Sequence, residues 1–191
     1  VDVVVEATGV FRKFEQAEVH VTKAGAKKVV ISAPAKDDPR DETHATVLMG
    51  INDEKLKTCI VSSNASCTTN AGSPLMTILD EKLGIEKALL NTVHSYTATQ
   101  AIVDGPSKKD FRKGRAAAMN IIPSTTGAAI ATAKALPQLE NKFDGISLRV
   151  PSIVGSVADI TFISKKDTTA EEVNEILRNA AEEERLSLIH I

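Results

Sequence analysis

The feature that most constrains this chain is the strand, helix, strand pattern at its start. Val1-Asp-Val-Val-Val5 is an almost unbroken apolar run, the pattern of a parallel strand covered on both faces. Phe14 to Lys23 then carries a helical pattern that ends near Gly25, and Lys28-Val-Val-Ile-Ser32 reads as a second strand. The unit has the usual βαβ length of about 30 residues. Thr46 to Ile51 and Cys59 to Ser63 read as two further short strands. We therefore expect the first third to be an open α/β sheet. It starts in mid-strand, with no Met and no preceding turn, so we expect the chain to begin inside a longer protein.

After Ser63 the grammar changes. A helix is predicted from about Thr68 to Leu83, stopped by Gly84, followed by a strand from Ile85 to about Ser95. A long loop holds Asp104-Gly-Pro106 and the basic stretch Lys108 to Arg115, and Thr126 to Leu136 suggests another helix with Pro137 just past it. Gly145 to Val150 and Ser156 to Lys165 read as neighbouring strands. Thr169-Ala-Glu-Glu172 is a capping box, and Val173, Ile176, Leu177 and Ala180 give the last helix one apolar face. Strands separated by long helical returns, without regular βα alternation, point to a second domain of the α+β kind. There is no internal repeat and no low-complexity segment.

Composition removes several function classes. The 191 residues carry 23 Lys+Arg against 25 Asp+Glu, a formal charge of −2; no global field draws the chain onto nucleic acid or a membrane. With no Trp and 3% aromatic residues, the core is expected to be aliphatic, and a base-stacking surface is not expected. Apolar runs fall far short of a membrane span, and no charged-then-apolar leader is visible, so a cytoplasmic setting is expected. Cys59 and Cys67, the two cysteines, have neither metal-site nor disulfide spacing. A reducing compartment fits.

The decisive stretch is Ser63-Asn-Ala-Ser-Cys-Thr-Thr-Asn70. It places one thiol where a strand ends and a helix begins, so free N–H groups and the positive end of the helix dipole favour a negative sulfur. The bland reading of any cysteine is a small buried apolar residue, and Cys59 keeps that reading. The polar surroundings of Cys67, from Ser66, Thr68, Thr69 and Asn70, argue for an active site instead. His94, in Asn91-Thr-Val-His-Ser-Tyr-Thr97, lies near the end of a predicted strand, where α/β proteins place functional side chains. A lone histidine is more often structural; its candidacy comes from pairing with Cys67, since a nucleophile needs a base within reach. His20 fits a helix face, His44 sits in a charged loop and His190 lies in an atypical tail.

Ser63 to Asn70 resembles the active-site signature of the phosphorylating glyceraldehyde-3-phosphate dehydrogenases, with His94 following Cys67 at the family's spacing. The resemblance extends, in the family's order, through Glu6-Ala-Thr-Gly-Val-Phe11, Ala24 to Ala35, Arg115-Ala-Ala-Ala118, Ile121 to Ala129 and Arg149-Val-Pro151. It implies the second part of a Rossmann-type NAD(P)-binding domain over residues 1–66 and an incomplete α+β catalytic domain over 67–185. Residues 186–191, Leu186 to Ile191, do not look like the family's continuation and are expected to be a non-native tail. The whole would be an internal fragment, inactive alone, of a homotetrameric enzyme.

The resemblance also implies the chemistry. Cys67 adds to the aldehyde of glyceraldehyde 3-phosphate, His94 moves the protons, NAD accepts the hydride, and inorganic phosphate cleaves the thioester to give 1,3-bisphosphoglycerate. Thr97 and Arg149 are implied for the substrate phosphate; Ser66, Thr68, Thr126 and Gly127 for inorganic phosphate; Thr8, Gly9 and Ser32 for the dinucleotide. Hydroxyls, a guanidinium and a helix-opening glycine suit anions, although singly Thr97 and Thr126 read as turn caps and Arg149 as a surface ion pair. One basic residue of the 108–115 loop is implied for phosphate, but Arg112-Lys113 stands where many members have two arginines, leaving the choice between them open. Ala71 and Ile130 stand where many members have cysteine and lysine. The glycine-rich fingerprint and ribose-binding acid would lie upstream, so NADP is not excluded. Erythrose-4-phosphate dehydrogenase, a non-catalytic binding module and an independent cysteine hydrolase are the rival readings.

Overall fold

Four strands form the first sheet, all parallel: β1 (Val3–Glu6), β2 (Lys28–Ile31), β3 (His44–Thr46) and β4 (Val61–Ser63), in the order β1-β2-β4-β3. The structure is a computed structural model and describes residues 1–108, 110–183 and 185; the expected tail at 186–191 lies outside the described residues. Between β1 and β2 the chain forms α1 (Phe14–Ala17) and α2 (Val19–Thr22), where a single helix was expected. Glu18 separates them. The Thr22 hydroxyl donates back to the Glu18 carbonyl at 3.0 Å, a bond that bends helices, and the β-branched Val19, Val21 and Thr22 weaken helix propensity there. Phe14 and Ala17 are buried against Val29, Ile31 and Val61.

The strand expected from Thr46 to Ile51 ends at Thr46. Asn52 explains why: its side chain accepts from the Leu48 N–H at 2.8 Å and donates to the Thr46 carbonyl at 3.0 Å, closing a turn. Val47 and Leu48 are buried inside that turn, so their apolar character serves packing and not a ladder.

The second sheet contains β5 (Ile85–Ser95), β6 (Ile122–Thr125), β7 (Phe143–Val150) and β8 (Ser156–Ser164), ordered β6-β7-β5-β8. The expectation that β7 and β8 are neighbours does not hold. β5 lies between them, parallel to β7 and antiparallel to β8, because this longest strand buries Ala88, Leu90 and Thr92 at alternate positions and takes the centre. β6, which the sequence reading did not anticipate, contains Pro123 and occupies an edge, where a missing N–H is tolerated.

Helices α3 (Cys67–Leu83), α4 (Ala128–Ala135) and α5 (Ala170–Ala181) pack on one face of this sheet. Met76, Leu79, Leu83, Ile85, Leu90, Leu139 and Phe143 form the core, with Val173, Ile176 and Leu177 of α5 against it. Thr169 caps α5 by accepting from the Glu172 N–H at 3.2 Å. The Glu172 carboxylate accepts from the Thr168 hydroxyl in place of the reciprocal bond to the Thr169 N–H that a full capping box makes. The opposite face leaves Leu89, Ile146 and Ile163 exposed. β4 of the first sheet runs directly into α3, and Lys134 of α4 reaches Asp38 at 2.5 Å, tying the two sheets together.

Candidate active site

The site is built on the turn from β4 into α3. Ser66 is the N-cap: its hydroxyl accepts from the Thr69 N–H at 3.1 Å and meets the Thr69 hydroxyl at 2.7 Å. Ala65 just before it has φ +60, a left-handed conformation that costs a non-glycine residue about 1–2 kcal/mol. Side chains hold it there. The Ser63 hydroxyl accepts from the Ala65 N–H at 3.2 Å and donates to the Ala33 carbonyl at 2.7 Å, while Asn70 donates to the carbonyls of Asn64 and Ser66, both at 2.8 Å. Cys67 thereby opens α3 with its thiol exposed, beside N–H groups that take no intrahelical bond.

β5 brings the second group. Sγ of Cys67 is 3.6 Å from Nε2 of His94, and the other ring nitrogen, Nδ1, lies 2.8 Å from the Ser95 carbonyl. Arg149 stands opposite His94 in the β5–β7 register. Its Nη1 lies 2.8 Å from His94 Nδ1 and 3.0 Å from the Ser95 carbonyl, and its Nε is buried without a partner. Burial pushes the guanidinium below its ordinary pKa, with the nearby Cys67 acting in the opposite direction. Arg149 is therefore a partly desolvated cation with an unused Nε donor, and among the described residues it makes no ion pair with a carboxylate.

The remaining candidates are distributed around this centre. Thr68 is buried, its hydroxyl 4.0 Å from the Cys67 sulfur. Thr97 lies two residues beyond β5; its N–H donates to Gln100 at 3.0 Å and its hydroxyl meets that of Thr99 at 3.0 Å. Thr126 accepts from the Ala128 N–H at 3.2 Å, and Gly127 is the N-cap of α4. The Ser73 and Thr132 hydroxyls meet at 2.7 Å, which sets the second turns of α3 and α4 side by side. Arg112 is not brought to the centre: Asp110 holds it through Nε and Nη2, each at 3.0 Å. Lys113 is half-buried, with no carboxylate partner among the described residues. Thr8 and Gly9 follow β1 and Ser32 follows β2, all at the C-terminal edge of the parallel sheet, where open α/β folds bind ligands.

Three contributors were assigned no structural role by the sequence reading. The Ser95 carbonyl gave no side-chain signal. Glu6 is buried and accepts from the Thr8 N–H at 2.8 Å, from the Thr8 hydroxyl and from His20 Nε2 at 2.8 Å, anchoring the turn in which Gly9 has φ +74. Asn70 clamps the turn around Ala65; its place one helical turn after Ser66 was the available signal. His44, expected in a charged loop, is buried at the start of β3 with Nε2 3.2 Å from Glu18. Among the described residues no group of three or more His, Cys, Asp or Glu side chains is placed to hold a metal ion.

Comparison with known proteins agrees in one direction. Residues 66–191 match the family described as glyceraldehyde 3-phosphate dehydrogenase, C-terminal domain. The chain is 50% identical over 190 residues to glyceraldehyde-3-phosphate dehydrogenase 1 of Candida glabrata, covering 99% of the chain and 55% of that protein. It is 50% identical over 185 residues to the glyceraldehyde-3-phosphate dehydrogenase of Streptomyces coelicolor, covering 96% and 53%, and 49% identical over 185 residues to that of Clostridium pasteurianum, covering 96% and 54%. The chain thus spans about half the length of the curated relatives it matches. A helix-opening thiol touching a strand-end histidine, in a segment that matches this family over most of its length, means that the chain belongs to the glyceraldehyde-3-phosphate dehydrogenase family.

Proposed function

We propose that this chain supplies the nucleophile, base and phosphate-binding residues for the phosphorylating oxidation of glyceraldehyde 3-phosphate. The observation that carries the reading is the 3.6 Å contact between Cys67 Sγ and His94 Nε2 at the N-terminus of α3. The Cys67 sulfur adds to the aldehyde carbon while the adjacent α3 N–H groups face the developing oxyanion. His94 takes the hydroxyl proton of the resulting thiohemiacetal, and the carbonyl would reform as a thioester as the carbon's hydride leaves to a bound nicotinamide. Orthophosphate oxygen then attacks the thioester carbon, the C–S bond breaks, and an acyl phosphate leaves as Cys67 regains its proton.

Thr8, Gly9 and Ser32, at the ends of adjacent parallel strands, fit one wall of a nicotinamide dinucleotide crevice. Bound there, the dinucleotide supplies the hydride acceptor. NAD is the proposed cofactor, with NADP distinguished only by assay. Arg149, through its unpartnered Nε, and Thr97 receive the substrate phosphate. Ser66, Thr68, Thr126 and Gly127, at the starts of α3 and α4, receive inorganic phosphate. Lys113 is the better basic candidate in its loop, because Asp110 already occupies Arg112. The exposed Leu89, Ile146 and Ile163 support burial of the outer sheet face between copies, and a homotetramer is the proposed assembly. No described helix is long and apolar enough to cross a membrane; a cytoplasmic setting is part of the proposal.

The test uses the chain alone and a chimaera completed with the flanking regions of the Streptomyces coelicolor relative. Reduction of NAD or NADP by the chimaera should require both glyceraldehyde 3-phosphate and orthophosphate, with the acyl phosphate as product. Equal turnover without phosphate, releasing a free acid, would defeat this reading and favour hydrolysis of the thioester.

A further inference from the structure

Thr97 stands on the exposed turn that follows β5, and both polar groups of its main chain are held by one residue. The Gln100 N–H donates to the Thr97 carbonyl at 2.9 Å, and the side-chain oxygen of Gln100, Oε1, accepts from the Thr97 N–H at 3.0 Å. Oε1 also accepts from the Thr97 hydroxyl at 3.2 Å. A backbone N–H can meet only an acceptor, so this contact fixes which way the amide faces. Nε2 then points elsewhere, buried without an acceptor among the described residues. Gln100 is 4% exposed, and burying an unpaired amide donor costs stability. An apolar side chain would pack there at less cost; what glutamine supplies is Oε1. Gln100 is anchored in turn by its neighbour: Ala101 donates to the Lys113 carbonyl at 2.8 Å and accepts from the N–H of the buried Ala117 at 3.0 Å.

We propose that Gln100 is a positioning residue for the substrate phosphate: it fixes the main chain of Thr97 on both sides and so sets the direction in which the Thr97 hydroxyl is presented. The inference rests on the phosphate role proposed for Thr97. That hydroxyl has one hydrogen to give. Its 3.2 Å contact with Oε1 is long for an O–H···O bond, whose usual length is about 2.7–2.8 Å. A phosphate oxygen carries negative charge and is the stronger acceptor, so the hydrogen rotates from Oε1 to the phosphate when the ester binds. Oε1 keeps the Thr97 N–H, and the turn does not relax as the hydroxyl leaves. The Thr99 hydroxyl, 3.0 Å from the Thr97 oxygen, can then donate into it and strengthen the new bond.

The completed chimaera tests this. Gln100→Met keeps the length of the side chain and removes both Oε1 and the unpaired amide, so the fold should persist. It should lower kcat/KM for glyceraldehyde 3-phosphate by about tenfold, the worth of one hydrogen bond to a charged group, through KM with kcat kept. Unphosphorylated glyceraldehyde should be oxidised as by the parent. Thr97→Ala should separate the two aldehydes in the same way, and adding Gln100→Met to it should cost little more, because both residues act through one hydroxyl. Equal losses for both aldehydes, or a full further loss in the double variant, would overturn the inference. A selective Thr97→Ala beside a silent Gln100→Met would overturn it while leaving the phosphate reading intact. A Thr97→Ala variant with the parent's preference for the phosphate ester would overturn that reading and the inference with it. Hydrogen exchange in the unmutated chimaera needs no variant: the Thr97 amide should exchange at least about tenfold more slowly than that of the exposed Ala98. Equal rates would mean that Gln100 does not hold it.

Discussion

Cys67 Sγ and His94 Nε2 lie 3.6 Å apart, although they belong to a helix start and a strand end. The contact depends on how closely α3 lies over β5. At Gly72 the position of an absent Cβ is 4.0 Å from Leu90 Cδ2, so the helix rests directly on the strand that carries His94. Ser66 sets one end of the pair and the β5–β7 ladder the other. The reactive geometry is held by elements with buried cores and not by a mobile loop.

The two cysteines should separate cleanly under alkylation. Cys67 is exposed, whereas Cys59 is 2% exposed, and burial pushes its thiol pKa above the ordinary value. Limited iodoacetamide treatment followed by peptide mass spectrometry should find label on Cys67 alone. Preferential labelling of Cys59 would mean that the β4–α3 turn does not present its thiol as described.

Replacing His94 by Asn should slow acylation of Cys67 in the completed chimaera by about 10²–10⁴-fold, the usual contribution of a positioned acid or base. The fold should persist, since His94 is only partly buried. Single-turnover measurement of thioester formation checks the rate, and circular dichroism the fold. A folded variant acylating at the parent rate would remove His94 from the mechanism.

Gly145→Ala tests how tightly β7 must approach β5. A Cβ there would stand 2.8 Å from the Leu90 carbonyl oxygen and 3.2 Å from Leu90 Cβ, closer than side-chain atoms pack, and against backbone that cannot swing aside. Overpacking of this kind costs about 1–3 kcal/mol. The midpoint of urea unfolding should fall, and because the same ladder places Arg149 opposite His94, phosphate-ester binding should weaken too. An unchanged midpoint would show that the two strands are less closely apposed.

Glu6 should leave a signature in the acid range. The Thr8 hydroxyl, then His20 and the Thr8 N–H, hold its carboxyl below the ordinary value of 4.5, against desolvation that raises it. A depressed folded pKa contributes stability that is complete above the unfolded value and is lost as pH falls through the folded one. Glu6→Gln should therefore be less stable than the parent near neutrality, with the difference shrinking below pH 4.5. Urea titrations across that range check it; a gap that widens on acidification would contradict the assigned hydrogen bonds.

What the sequence determined by itself was whatever local chemistry controls. Apolar runs marked β1 and β2, Gly84 ended α3, and Thr169 with Glu172 announced α5. The strand Ile85–Ser95 was legible to its ends, and polar residues around a single cysteine marked Cys67 as a candidate nucleophile. Tertiary structure alone decided the rest, because pairing and burial join residues that no local pattern links. It placed β5 between β7 and β8, admitted Pro123 to an edge strand, and folded Val47 and Leu48 into a turn closed by Asn52. It also gave Arg112 to Asp110 and set Arg149 against His94. A guanidinium finds its partner only after strands distant in sequence have found their register, so the contact between Arg149 and His94 belongs to the fold and not to either segment.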